Sequence, residues 1–312
     1  MTANKNNMPP TGYKYSTLKT SSTDSGRVRV ICFSRPDKFN ALSALAYKEW
    51  LWALNAAAAD PAVVACVVTG AGPYYSSGNE LAIPTPAQFA AIGYIREYLD
   101  AHPGARSLDP GVIPSPPSDA EIDLDILERG RITRDLISAM IHFPKLLVAG
   151  VNGPAIGFAV TTLALFDFVY AAPTATFMVP FMQWAFCAEG CSSVTFPKIL
   201  GPALANQMLY LGKKATATDL TGSGFITEIV PAATFQRDVI AKTVAMAKAL
   251  PPIAFQRTKA LVKAASAPDL EAANQREMNE LIARMASEEC ETRVAQFFTK
   301  KAAAAGKNKA KL

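Results

Sequence analysis

Leu146-Leu147-Val148-Ala149-Gly150-Val151-Asn152-Gly153-Pro154-Ala155-Ile156-Gly157-Phe158 decides the architecture. Its apolar first half, with no polar residue at either phase of the strand period, reads as a strand buried on both faces. Asn-Gly-Pro ends that strand, and residues 158–165 read as a helix, followed by a second strand at 168–171. A strand that breaks at glycine and turns into a helix leaves backbone N–H groups at the helix start unpaired, able to donate to a developing negative charge. The pattern has a counterpart upstream. The β-branched run Val63-Val64-Ala65-Cys66-Val67-Val68-Thr69 ends in Gly70-Ala71-Gly72-Pro73-Tyr74-Tyr75-Ser76-Ser77-Gly78-Asn79-Glu80-Leu81. Two such loops facing one pocket make an oxyanion hole; taken singly, each is also compatible with ordinary turn chemistry.

Outward from these loops, strands alternate with helices. Residues 13–18 and 28–33 read as a hairpin across a Ser/Thr/Asp/Gly turn, residues 45–58 as a helix stopped by Asp60-Pro61, and residues 120–140 as a helix feeding the strand at 146–151. Residues 100–119 are rich in Pro and Gly and read as a surface excursion. From Ser193 onward the pattern is largely helical. This order predicts an α/β fold with a core over residues 12–200, a helical C-terminal region of the same domain over 201–298, and a flexible basic tail over 299–312.

Composition excludes several classes of function. Of 312 residues half are apolar and 18% charged, enough to bury a large core. The net charge of +5 gathers only near the end, at Lys300, Lys301, Lys307, Lys309 and Lys311, without the stacking aromatics of a nucleic-acid surface. No apolar run has the length of a membrane span. Five cysteines without a CxxC pair, and with no signal peptide, read as reduced and offer no metal site. Two histidines, His102 and His142, leave little material for a His-based triad. The chain finishes Ala310-Lys311-Leu312, close to the Ser-Lys-Leu address read by the peroxisomal import receptor, or else a lysine-rich frayed end.

Glu189, in Phe186-Cys187-Ala188-Glu189-Gly190-Cys191-Ser192-Ser193, is chemically isolated. Between Lys145 and Lys198 the only other acid is Asp167, which reads as structural. A carboxylate among apolar groups loses hydration, and its proton affinity rises toward that of a general base. The plain alternative is a surface acid on a loop.

The two glycine loops, with Ser34-Arg35-Pro36-Asp37-Lys38-Phe39-Asn40-Ala41-Leu42 before them, resemble the signature loops of the crotonase (enoyl-CoA hydratase/isomerase) superfamily, the resemblance running over about residues 13–251. It implies the crotonase (ClpP-like) α/β fold, a spiral of ββα units with a helical C-terminal trimerisation region. It implies an acyl-CoA substrate and no cofactor, coenzyme A being part of that substrate. The backbone N–H groups of Asn79 and Phe158 would then be the oxyanion donors, and Ser76, Ser77, Gly78, Asn79, Glu80, Gly157 and Phe158 the substrate-binding segments.

The resemblance also narrows the reaction. Hydratases of this superfamily use two glutamates, and the matching places hold Thr161 and Phe181. The context Glu189-Gly190-Cys191-Ser192-Ser193 resembles the peroxisomal 3,2-enoyl-CoA isomerase branch, in which one glutamate is the acid/base. One carboxylate suffices to take a proton from C2 and return one to C4 while the dienolate is held. The expectation is therefore an enoyl-CoA delta isomerase of β-oxidation in the peroxisome matrix, recognised by the import receptor and assembled as a homotrimer or hexamer. Tyr74, Tyr75, Phe158, Phe181 and Trp184 could wall its acyl channel or simply pack in the core, and Lys259 and Lys263 could meet the CoA phosphates or be solvated helix lysines. Open alternatives are a hydratase or dienoyl isomerase with a displaced base, Glu80 or a residue of 82–119, and a non-catalytic acyl-CoA- or protein-binding member.

Overall fold

A computed structural model of the chain describes residues 7–82, 84–102, 113 and 125–309, with 301–309 by backbone alone. In chain order it runs β1 (Leu18–Thr23), β2 (Val28–Phe33), α1 (Ala44–Ala59), β3 (Ala65–Gly70), α2 (Pro86–Ala101), α3 (Asp125–Ile141), β4 (Leu146–Val151), β5 (Ala155–Ile156), α4 (Phe158–Thr161), β6 (Phe168–Ala171), β7 (Thr176–Met178), α5 (Ser192–Leu200), α6 (Pro202–Leu211), β8 (Ala215–Thr216), α7 (Ala217–Leu220), β9 (Glu228–Ile229), α8 (Phe235–Ala249), α9 (Pro252–Ala264), α10 (Ala267–Met285) and α11 (Glu288–Lys309).

Six strands form one sheet in the order β1-β2-β3-β4-β6-β9. β1 pairs antiparallel with β2, and every other neighbour is parallel. β3 and β4 are buried along their whole length because both sheet faces are covered. The period of two divides their side chains: Cys66, Val68, Leu147, Ala149 and Val151 join the larger core with α1 and α3, whereas Ala65, Val67, Leu146 and Val148 meet Phe235, Val239 and Ala247 of α8. A second sheet, β5-β7-β8, continues from the second glycine loop. Strands β8 and β9 come from the mainly helical C-terminal region, so that region closes both sheets.

Several expectations are met closely. The helix read at 45–58 is α1, and the strands read at 146–151 and 168–171 are β4 and β6. Three differ. The first hairpin strand lies at Leu18–Thr23, not 13–18, because the Ser16 and Thr17 N–H groups donate to the Glu49 carboxylate at 2.8 and 2.7 Å and are thereby withdrawn from strand pairing. The helix read at 158–165 is α-helical only to Thr161 and continues as a 3-10 turn over Thr162–Leu165. α2 was not anticipated, and it takes in residues 100 and 101 of the segment read as a loop; apart from His102 and Ile113, residues 102–119 lie outside the described residues. α11 runs through most of the segment read as a tail, while Ala310, Lys311 and Leu312 lie outside the described residues.

Candidate active site

The two glycine loops lie side by side. Tyr75 N–H donates to Pro154 O (3.1 Å) and Ile156 N–H to Ser76 O (3.0 Å), joining Ser76 and Ala155 as a parallel bridge. Leu42 holds the first loop from the other side, donating to Gly78 O (2.8 Å) and accepting from Glu80 N–H (3.0 Å). Gly78 has φ +78°, and a Cβ there would stand 2.6 Å from Ile156 O. Gly157 has φ +59°. Both positions therefore use backbone that a side chain would strain; Asn79 follows the first as the bridge partner of Leu42, and Phe158 follows the second as the first residue of α4.

Phe158 begins α4, so its N–H has no acceptor within the helix. Among the described residues neither the Phe158 nor the Asn79 N–H meets a backbone acceptor outside it. The Phe158 ring is buried edge-on against Tyr47 (4.8 Å between centroids) and Trp50 (6.0 Å). The Asn79 side chain is held by Tyr47 of α1, whose hydroxyl donates to Asn79 Oδ1. Burial and the nearby Glu189 charge push the Tyr47 phenol well above its usual proton affinity, so it stays a donor.

Of the other residues expected to bind substrate, Ser76 is fully buried, donating its hydroxyl to Asn40 O (2.8 Å) and accepting from Gly78 N–H (3.1 Å). Ser77 N–H donates to Phe39 O. Glu80 is paired with Arg35 through two contacts (2.8 and 3.2 Å), which lowers its carboxyl below the ordinary range. A carboxylate held this way is a poor base.

Glu189 lies in the turn before α5, 4% exposed, with no donor to its side-chain oxygens among the described residues. Burial first, then the charge of Glu277, raises its pKa to about 8. It lines a cavity of about 670 Å³ together with Asn79, Glu80 and Tyr47. The remaining wall is mainly apolar, with Phe89 and Ile92 of α2, Ile132 of α3, Met278, Leu281 and Ile282 of α10, Val294 and Phe298 of α11, and Phe186 from the segment before α5. None of the five aromatics considered for the channel contributes to this wall. Tyr75, Phe158 and Phe181 pack in the core, Tyr74 lies tilted against Phe39, and Trp184 meets Phe297.

Thr161, at the first of the two hydratase positions, is buried, and its side chain lies against the Cα of Gly190 next to Glu189. Lys259 proves neither solvated nor free for a phosphate: it is 7% exposed and donates to Asp167 Oδ2 (2.6 Å) and Lys145 O (2.7 Å). Asp167 also accepts from Leu147 N–H (2.8 Å), a structural role that ties α9 to β4. Lys263 donates to Leu165 O (3.3 Å).

Sequence reasoning missed Tyr47 and Glu277. Tyr47 carries no local signal, being one more aromatic on an apolar helix. Glu277 had one: Ala273, Asn274, Glu277, Met278, Leu281 and Ile282 recur at helical spacing as the buried stripe of α10, and an acid within such a stripe needs a partner.

Comparison with known proteins follows the same lines. A family model described as Enoyl-CoA hydratase/isomerase matches residues 23–91 and 129–306. The chain is 38% identical over 287 residues to enoyl-CoA delta isomerase 2 of Homo sapiens, an alignment covering 92% of this chain and 64% of that protein. It therefore spans just under two thirds of that relative's length. It is 36% identical over 282 residues to a Mus musculus protein named enoyl-CoA delta isomerase 3, peroxisomal, covering 90% of this chain and 78% of that one. Among solved structures, an enoyl-CoA hydratase from Mycobacterium avium subsp. paratuberculosis K-10 matches with a TM-score of 0.72 over 92% of this chain and 97% of the other, at 24% identity, a likeness of fold.

Proposed function

Because the chain belongs to the enoyl-CoA hydratase/isomerase family and has its crotonase fold, we propose that it converts 3-enoyl-CoA to trans-2-enoyl-CoA with Glu189 as the sole acid/base. The Glu189 carboxylate takes a proton from C2. The C2 electron pair passes into the thioester, giving a dienolate whose oxygen accepts from the backbone N–H groups of Asn79 and Phe158. The carboxylic acid so formed returns its proton to C4, the double bond moves from C3–C4 to C2–C3, and the carboxylate is restored. No atom is gained or lost, and the reaction takes no cofactor.

The observation that carries this reading is the setting of Glu189: a buried carboxyl of raised proton affinity, without a hydrogen-bond donor among the described residues, on a cavity wall it shares with Asn79. The apolar wall suits an acyl chain. Addition of water is disfavoured because Thr161 and Phe181 stand where hydratases carry their glutamates, and Glu80 is engaged by Arg35. Relatives named as delta isomerases support the same choice.

The peroxisome matrix is the proposed location, supported by Ala310-Lys311-Leu312 as a ligand of the import receptor and by the peroxisomal name of the mouse relative. A homotrimer or hexamer is the proposed assembly; exposed Tyr210, Leu211, Ile253, Leu261 and Val262 are apolar surface of the kind that assembly covers. No helix among the described residues is long and apolar enough to cross a membrane.

The test is conversion of 3-hexenoyl-CoA by the wild type and by Glu189→Gln. The expected loss is on the order of 100- to 10,000-fold. Undiminished turnover in the variant removes Glu189 from the mechanism. Hydration of crotonyl-CoA without isomerisation would favour a hydratase, and wild-type protein that binds acyl-CoA without turnover would favour a binding member.

A further inference from the structure

We propose that Glu277 of α10 is the positioning residue for Glu189: its carboxylate anchors the loop from Glu189 to Ser193 through two backbone N–H groups and sets a second negative charge behind the base. The loop needs such an anchor. Gly190 and Cys191 are consecutive residues in left-handed backbone, at φ +66° and +64°, a conformation that costs energy at a residue with a Cβ. Cys191 is also the residue before α5, and its side chain does not cap that helix; its Sγ contacts Leu270 O instead. The open N–H groups at the head of α5 turn to Glu277, which accepts from Cys191 N–H at 2.7 Å through Oε2 and from Ser193 N–H at 2.9 Å through Oε1. From the opposite side Thr161 fills the space above Gly190. The loop is thus clamped between α4 and α10.

Glu277 is 7% exposed. Burial raises its proton affinity, and the hydrogen bonds from Ser193 and Cys191 oppose that rise by favouring the ionised form. Other titratable groups around the pair are Tyr47 from α1, Cys187 from the same loop, Arg276 and Glu280 from α10, and Arg129 of α3 on the shared cavity wall. Among these, Glu277 is the charge that acts on Glu189, adding to burial in raising it to about 8. The difference between the two carboxyls follows from donors: Glu277, raised by burial, has two backbone N–H groups that favour its ionised form, whereas Glu189 has none among the described residues and is raised to about 8. The same helix also brings Met278, Leu281 and Ile282 to the cavity, so α10 sets both the base and part of the acyl wall.

The kinetic arm rests on the isomerase reading; the spectroscopic arm does not. Carbon-13 NMR of glutamate-labelled protein identifies the Glu189 carboxyl as the resonance lost in Glu189→Gln. In Glu277→Gln its midpoint should fall by about one unit or more, and the acidic limb of the kcat/KM profile for 3-hexenoyl-CoA should move down with it. In Glu277→Asp the charge remains and the reach to the loop is shortened. The midpoint should then stay within half a unit of wild type, with the half-unit taken as about half of a typical charge effect, while kcat falls. Unchanged midpoints and kcat in both variants overturn the proposal. Should Glu277→Gln not fold, as its melting curve would show, a Glu277→Asp variant with wild-type kcat overturns it. Wild-type protein inert toward 3-enoyl-CoA would reject the isomerase reading, and the NMR midpoints would still decide the role of Glu277.

Discussion

The carbonyl oxygen of Ile156 lies where the side chain of Gly78 would begin: a Cβ on Gly78 would stand 2.6 Å from it. The first glycine loop is thereby pressed against the second, and Asn79 and Phe158 each follow one of two adjoining glycines. Gly78→Ala adds this collision to the roughly 1–2 kcal/mol cost of left-handed backbone. Expected is a loss on the order of 100-fold in kcat/KM, with the protein still folded. Activity and melting temperature measured on the same preparation check it; wild-type turnover would show that the loop contact is dispensable.

The proposed base, Glu189, also bears on stability. Its proton affinity is raised from the ordinary 4.5 to about 8 in the folded protein, so the folded state holds the proton more tightly than the unfolded state. The resulting stabilisation is complete below pH 4.5 and is lost as pH rises to 8, a difference on the order of 5 kcal/mol if taken in full. Glu189→Gln removes this dependence. In urea unfolding the variant should gain on the wild type between pH 5 and pH 8, and parallel stabilities over that range would contradict the buried, unpaired placement.

Tyr47 tests whether Asn79 must be held. Tyr47→Phe deletes the hydroxyl that donates to Asn79 Oδ1 and leaves the ring contact with Phe158. A net hydrogen bond of about 0.5–1.5 kcal/mol predicts a fall in kcat/KM of about 2- to 12-fold. Steady-state kinetics check this, and a value equal to wild type would make the contact incidental.

Glu80 separates the proposed base from its nearest rival. Its carboxyl is bound by Arg35 and lowered, so it is ionised but engaged. Glu80→Gln should keep kcat/KM within about fivefold of wild type, the scale of a partly exposed ion pair. A collapse comparable to that of Glu189→Gln would move the base to the first loop.

Lys259 and Asp167 hold α9 to the sheet away from the cavity. Lys259→Met leaves the Asp167 charge without its cation, a change expected to cost about 3–5 kcal/mol. Urea unfolding should register this loss, while turnover per folded molecule on 3-hexenoyl-CoA stays near wild type. Loss of turnover without loss of stability would instead assign Lys259 to substrate.

Strands β4 and β6 and helix α1 were legible because their signals are local: uninterrupted apolar runs bounded by glycine and proline, and a helix-forming stretch ended by Asp60-Pro61. α2 also carries a local signal, since Thr85 and Gln88 form a reciprocal cap at its start. The first hairpin strand was displaced for a different reason. Tyr13-Lys14-Tyr15 alternates as a strand should, but this segment packs on α1, with the Tyr13 hydroxyl donating to Glu49 at 2.7 Å, and the polar run Leu18–Thr23 takes the exposed edge of the sheet.

At the site the same distinction holds. The sequence alone determined the two glycine loops, their order, and the uncharged stretch of chain on either side of Glu189, because backbone freedom at glycine and the residues flanking an acid are properties of short segments. Only the tertiary structure decided what surrounds them. Tyr47 reaches Asn79 across 32 positions, and Glu277 reaches Cys191 across 86. The cavity wall beside Glu189 is assembled mainly from α2, α3, α10 and α11, and none of the five aromatics considered for it takes part. Such pairings depend on which helix faces are packed together, and no local pattern of residues encodes the partner on the opposite face.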